Sequence, residues 1–230
     1  MPNRREILRA GLVAAGLAAI SVVLSPAIGP ARAAEDAAVA SVKRMTDALQ
    51  EALKRPDVPG RVEVLSGPMA QAFDLPAMLR LAVGTRWKDI PAAKQAALVE
   101  AFGPYLTATY ATRLSAATGG RFTVQPKSEP RGSGRLVRST VTEASGDESP
   151  VDYVTNAEGR ITDVYLQGTV SEAGTLRTNF GDQLKSGGPD GLLEFLRKST
   201  ATMLAATPPP APPVPPAAGA PDKPAADAKP

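Results

Sequence analysis

"VDYVTNAEGRITDVYLQG", Val151 to Gly168, reads as two short β-strands joined by a tight turn, with Asn156 and Gly159 placed to supply positive φ. In the first strand Val151 and Tyr153 share one face and Val154 takes the other; in the second, Ile161 and Tyr165 share one face, Val164 and Leu166 the other. Both faces are therefore apolar. An antiparallel sheet in a small protein usually keeps one face wet, so the second face of this hairpin needs a cover.

Upstream, "RFTVQP" and "GRLVRSTVTEA" keep the same period of two, with Leu136, Arg138, Thr140 and Thr142 on one face and Val137, Ser139, Val141 and Glu143 on the other. The short connections predict an antiparallel meander of about four strands. Before it the period is helical. Val39, Val42, Met45, Leu49 and Leu53 form one stripe within Glu35–Arg55, which Pro56, Pro59 and Gly60 end. In "FDLPAMLRLAVG" Asp74 can cap a helix, Pro76 fits its first turn and Gly84 its left-handed exit. A long helix starts near Asp89 or Ile90, ahead of Pro91, and carries Leu98, Phe102, Leu106, Tyr110 and Leu114, with a kink expected at Gly103–Pro104. After the sheet, Leu176, Phe180 and Leu184 mark a helix stopping at Gly187 and Gly188; Leu192, Leu193, Phe195, Leu196 and Met203 mark the last one. Helices, sheet, helices: the order predicts an α+β fold, with helices on one face of a curved antiparallel sheet.

The two ends have a different character. "MPNRREILRAGLVAAGLAAISVVLS" has a basic start and an apolar run from Gly11 to Leu24, and Ala31 and Ala33 frame a cleavage site, so residues 1–33 are expected to be a signal peptide. The apolar run is shorter than the roughly 20 residues that span a bilayer. "RREILR" is similar to a twin-arginine signal, while an ordinary Sec signal with a basic start fits the same residues. From Thr207 the chain is Pro- and Ala-rich, with Val214 as its one large apolar residue, and is expected to be a disordered or polyproline tail over 207–230. Residues 34–206 are left for a single domain with a core.

The signal segment holds Arg4, Arg5, Arg9, Arg32 and Glu6, so its removal leaves acids and bases in equal number. The basic balance belongs to the leader, and nothing in the global charge argues for nucleic acid. The chain has no Cys and no His. Disulfides, thiol nucleophiles, Ser-His-Asp triads and nearly all zinc sites are thereby excluded, and no metal or other cofactor is expected. A carboxylate enzyme would have to draw on Asp74, Asp152 and Asp163, but Asp74 reads as a helix cap and the hairpin aspartates as partners of Arg or Lys.

Four fragments in order carry a resemblance: "FDLPAMLRLAVGTRW", "FGPYLTATYATRL", the strand pair "VDYV" and "ITDVYLQG", and "RTNFGDQLKSGGPDGLLEFLRK". From about Val39 to Leu204 the chain resembles the MlaC or toluene-tolerance auxiliary proteins, periplasmic lipid carriers of a bacterial ABC transport pathway. Arg160 stands where that family has a Trp, and "GTVSEAGTLRTNF" looks more like the branch associated with hopanoid biosynthesis.

The resemblance implies a deep apolar cavity between helices and bent sheet, so that one face of the hairpin meets helices and the other meets ligand hydrocarbon. It implies a phospholipid or hopanoid-type lipid as cargo, and an inner-membrane ABC lipid transporter complex and an outer-membrane lipoprotein complex as partners. The carrier would act in the periplasm, as a monomer and without catalysis. The residues expected to line the cavity are Phe73, Leu75, Met78, Leu79, Val83, Phe102, Leu106, Tyr110, Val151, Tyr153, Val164, Tyr165 and Leu166. Arg80, Arg86, Arg113 and Arg177 are expected near the headgroup at its rim. The alternative is an interaction module that docks partners through its sheet edge or its Pro-rich tail.

Overall fold

Five antiparallel strands pair in chain order in the computed structural model, which describes residues 30–117 and 119–206. They are β1 (Arg121–Arg131), β2 (Gly134–Thr142), β3 (Glu148–Thr155), β4 (Ile161–Leu166) and the two-residue β5 (Val170–Ser171). Around them lie α1 (Pro30–Ala52), α2 (Val58–Ala72), α3 (Leu75–Val83), a 3₁₀ turn (Gly84–Asp89), α4 (Ala92–Arg113) and α5 (Glu172–Ala205). The architecture is the expected α+β, with one short strand more than the sequence suggests. The expected signal residues as far as Gly29 and the tail from Thr207 lie outside the described residues.

The helix α2 is the element the sequence hides. Pro59, which reads as a terminator of α1, instead sits in the first turn of α2, where Asp57 is the cap and accepts from the Gly60 N–H at 2.8 Å. The start of α3 follows its sequence signals: Asp74 accepts from the Ala77 N–H at 3.0 Å, and Gly84 exits at φ 72°. The α4 helix passes through Gly103 and Pro104 as one helical run. The break expected at the C-terminal glycines is present inside α5, where Gly188 takes φ 61° and ψ −156°, a region open almost only to glycine.

Cross-strand pairing resolves the two-faced hairpin. Val151 pairs with Leu166 and Tyr153 with Val164, so these four share the face that packs on the helices. Ile161 belongs by strict alternation with Tyr165, yet it is fully buried in the core. An irregularity between Val154 and Thr155 sets Ile161 opposite Thr155 and turns it inward. On the other face Arg138 bonds Glu129 at 2.7 Å and Asp152 at 3.1 Å, and the Arg131 guanidinium lies 5.6 Å from the centroid of the Tyr165 ring. This corrects the expected cover: side chains of the sheet itself, not ligand hydrocarbon, shield the second face.

The turn between β3 and β4 is pressed against α1. Asn156 does not take positive φ; its side-chain oxygen instead accepts from the N–H groups of Glu158 and Arg160, at 3.1 and 2.8 Å. Gly159 does, at φ 80°, and a Cβ there would fall 2.8 Å from the backbone carbon of Ala37. Gly159→Ala is expected to destabilise the fold by about 2 kcal/mol or more, from the left-handed backbone and the clash together, read as a lower midpoint of urea unfolding.

Candidate functional site

A cleft of about 440 Å³ opens where α2, α4 and the end of α5 meet, and its walls are rows at four-residue spacing. Val62, Ser66 and Ala70 come from α2; Val99, Gly103 and Thr107, with Glu100 and Pro104, come from α4; Thr200 and Leu204 come from α5, and Leu75 of α3 completes the lining. Helices whose facing rows carry Gly, Ala and Ser leave unfilled space between their axes. A second hollow of about 330 Å³ shares Glu100, Pro104, Thr200 and Leu204 and adds Ala101, Arg197 and Ala201.

The hydroxyls in this lining bond to their own helices. Ser66 Oγ donates to the Val62 carbonyl at 2.6 Å, Thr107 Oγ1 to Gly103 at 2.9 Å, and Thr200 Oγ1 to Leu196 at 2.7 Å. With their hydrogens spent on the backbone, these residues present carbon to the cleft. The charged lining residues are Glu100 and Arg197, both exposed. This is a hydrocarbon-compatible slot with charge at its edge, and it brings together no nucleophile with a base.

Of the apolar residues expected in a cavity, Leu75 lines this cleft, and its Cδ1 lies 3.2 Å from where a Cβ on Gly103 would be. Phe73, Met78, Leu79, Val83, Phe102, Leu106, Tyr153 and Val164 are buried together in the core between helices and sheet. Val151 and Leu166 pack half-buried at its margin. Tyr110 meets Phe73 edge-on, 5.9 Å between ring centroids. Tyr165 lies on the outer face under Arg131, away from the helices, which corrects its placement with the other lining residues. Val62, Ser66, Ala70, Val99, Gly103, Pro104, Thr200 and Leu204 are not among the lining residues expected from the sequence: the small and polar ones give no apolar signal, and core packing explains the aliphatic Val62, Val99 and Leu204 equally well.

The arginines expected at a rim do not border the cleft. Arg80 and Arg86 are exposed around the end of α3, and Arg177 donates from Nε and Nη2 to the Leu81 carbonyl there, at 3.1 and 2.6 Å. Arg113 pairs instead with Glu172, Nη1 to Oε2 at 2.7 Å; Glu172 is buried and the Arg113 side chain is 46% exposed. Burial works against the Arg113 charge, but the Glu172 hydrogen bond and charge outweigh it and hold its pKa above the ordinary value. Burial, and then the Glu172 charge, push the nearby Tyr110 hydroxyl well above the usual tyrosine range; burial alone does the same to Tyr153.

The aspartates have structural partners. Asp74 caps α3 and accepts from Asn156 Nδ2 at 3.0 Å, and Asp152 pairs with Arg138. Asp163 accepts from Ser171 Oγ and from the Ala173 N–H at the start of α5, at 2.6 and 3.0 Å. Each of these carboxylates is thus taken up by a helix cap, an ion pair or a helix start. Arg113→Met leaves the Glu172 carboxylate buried without its cation and is expected to cost about 2 kcal/mol, less than for a wholly buried pair because Arg113 is half in water. The added change Glu172→Met is expected to recover most of that loss, as read from urea melts of both variants.

The sequence model of the MlaC protein family matches residues 40–198 of this chain. Among solved structures, a phospholipid-binding protein from Ralstonia solanacearum, determined in complex with a phospholipid, aligns with a TM-score of 0.59 and 25% identity. The alignment covers 72% of this chain and 98% of that one. No curated protein sequence matches the chain.

Proposed function

The chain belongs to the MlaC family, and from that premise we propose that it is a non-enzymatic lipid-binding protein whose cargo lies with its acyl chains in the apolar space among the helices. The observation that carries this reading is the likeness over nearly the full length of a phospholipid-binding relative with phospholipid bound. The cleft between α2, α4 and α5 is the entry, with Leu75 at the step from the cleft to the core that holds Phe73, Met78, Leu79 and Leu106. Each methylene taken out of water there contributes about 0.8 kcal/mol. Met45, Met69 and Met78 are among the largest fully buried side chains, and unbranched thioethers can shift to make room for a second chain. Arg197 and Glu100 at the mouth are the polar groups nearest a headgroup left in water.

The finer reading follows the family: export by the signal at residues 1–33, residence in the periplasm, and a monomeric 34–206 domain, followed by a tail, that shuttles lipid between an inner-membrane ABC transporter complex and an outer-membrane lipoprotein complex. A phospholipid is the cargo that the relative supports, with a hopanoid-type lipid as the variant. Docking through the sheet edge finds little support, since β1 carries Pro126, Lys127 and Pro130, residues that blunt an edge against strand addition.

The test is solvent extraction of protein purified from the exported fraction, followed by mass spectrometry. Close to one lipid per chain is expected, and Ala70→Trp, which fills the cleft from an exposed position, is expected to remove most of it while the thermal midpoint holds. A folded wild-type protein that yields no lipid would overturn the proposal.

A further inference from the structure

The end of α3 and the 3₁₀ turn after it gather charge that the rest of the domain balances. Between Leu75 and Val99 the acids amount to Asp89 alone, against Arg80, Arg86, Lys88 and Lys94. Lys94 is paired with Asp190 on α5. Arg80, Arg86 and Lys88 are exposed and have no ion pair or side-chain hydrogen bond among the described residues. The facing turn of α5 adds Arg177, held against the Leu81 carbonyl, and contributes no acid from Ala173 to Gly181. Amid these cations Leu81 is 42% exposed, and Trp87, the single Trp of the chain, lies half-buried in the same turn.

We propose that Arg80, Leu81, Arg86, Trp87, Lys88 and Arg177 form a docking surface for a bilayer bearing anionic headgroups. Unpaired cations around an exposed aliphatic side chain and a partly exposed indole are complementary to an interface of negative headgroups over hydrocarbon. One leucine and the edge of one indole are too little apolar surface for a specific protein interface, which needs a packed centre of several such groups. The choice of a bilayer over an acidic protein rests on the proposed lipid-binding function; the charge and exposure do not. Docked this way, the protein would meet a membrane through α3, on residues that do not line the cleft of α2, α4 and α5.

The full mature protein is mixed with vesicles of phosphatidylcholine alone and of phosphatidylcholine with phosphatidylglycerol. Binding is followed by flotation and by Trp87 fluorescence. Binding is expected only to the anionic vesicles, with a blue shift of the emission, and is expected to vanish near 1 M salt, where the Debye length is about 3 Å. The triple change Arg80→Gln/Arg86→Gln/Lys88→Gln is expected to weaken it on the order of a hundredfold, about fivefold per charge. The charge-matched change Arg44→Gln/Arg121→Gln/Lys127→Gln, at exposed cations elsewhere that have no ion pair among the described residues, is expected to cost less than a tenth of that. Lipid extracted per chain is expected to be the same for both variants, which separates a failure of docking from a failure of lipid binding. Equal binding to both vesicle types, no binding to either, or equal loss in the two triple variants would overturn the proposal.

Discussion

The two layers of this protein are joined at Phe73 and Asp74. Phe73 forms a bridge to Ile161, the first residue of β4, and the Asp74 N–H donates to the Ile161 carbonyl at 2.8 Å. The Asp74 side chain then caps α3 with one oxygen and accepts from Asn156 in the β3–β4 turn with the other. From that turn Arg160 reaches back to the carbonyls of Ala70 and Phe73, satisfying acceptors that the end of α2 leaves open. The two residues thus end one helix, start the next and hold an edge of the sheet, which places Leu75, the next residue, at the inner side of the cleft.

With that junction set, the cleft follows from what the helices lack. Three rows of small or inward-bonded residues meet, and the space between them stays apolar because Ser66, Thr107 and Thr200 give their hydrogens to the preceding turn. Pro104 lacks the N–H that would otherwise bond the Glu100 carbonyl four residues before it. Elsewhere the core is closed by an aromatic set in which Phe180 and Phe195, on either side of the break at Gly188, both meet Tyr105 at 5.9 Å. The two halves of α5 are held on α4 by the same ring.

Strong local chemistry was legible in the sequence. Asp74, Pro76 and Gly84 mark both ends of α3, Gly188 marks the break in α5, and period-two patterning gives the meander. The rest depends on contacts that patterning does not carry. The second helix has prolines at Pro59 and Pro68, and only tertiary packing shows that Pro59 begins a helix. Ile161 changes face through one extra residue in β4, which alternation cannot register. The outer face of the hairpin looked greasy because Arg131, Arg138 and Glu129, which cover it, come from other strands. The arginines assigned to a rim lie by α3 and beside Glu172, because a charge on an amphipathic helix does not say which cavity it borders. The cleft was invisible for a simpler reason: Ser66, Ala70, Gly103, Pro104, Thr107 and Thr200 carry no apolar signal, the aliphatic Val62, Val99 and Leu204 beside them look like ordinary core, and a void leaves no residue of its own.

The central claim is that hydrocarbon lies among the helices, entering past Leu75. A phosphatidylglycerol with a diazirine near the end of one acyl chain, loaded into the protein and photolysed, reports this directly when the adducts are mapped by mass spectrometry. The account predicts adducts on residues of the α2, α4 and α5 walls such as Val62, Val99 and Leu204, and inward on Leu75 and Phe73. Adducts confined to the outer face of the sheet, at Val154 and Tyr165, would contradict it.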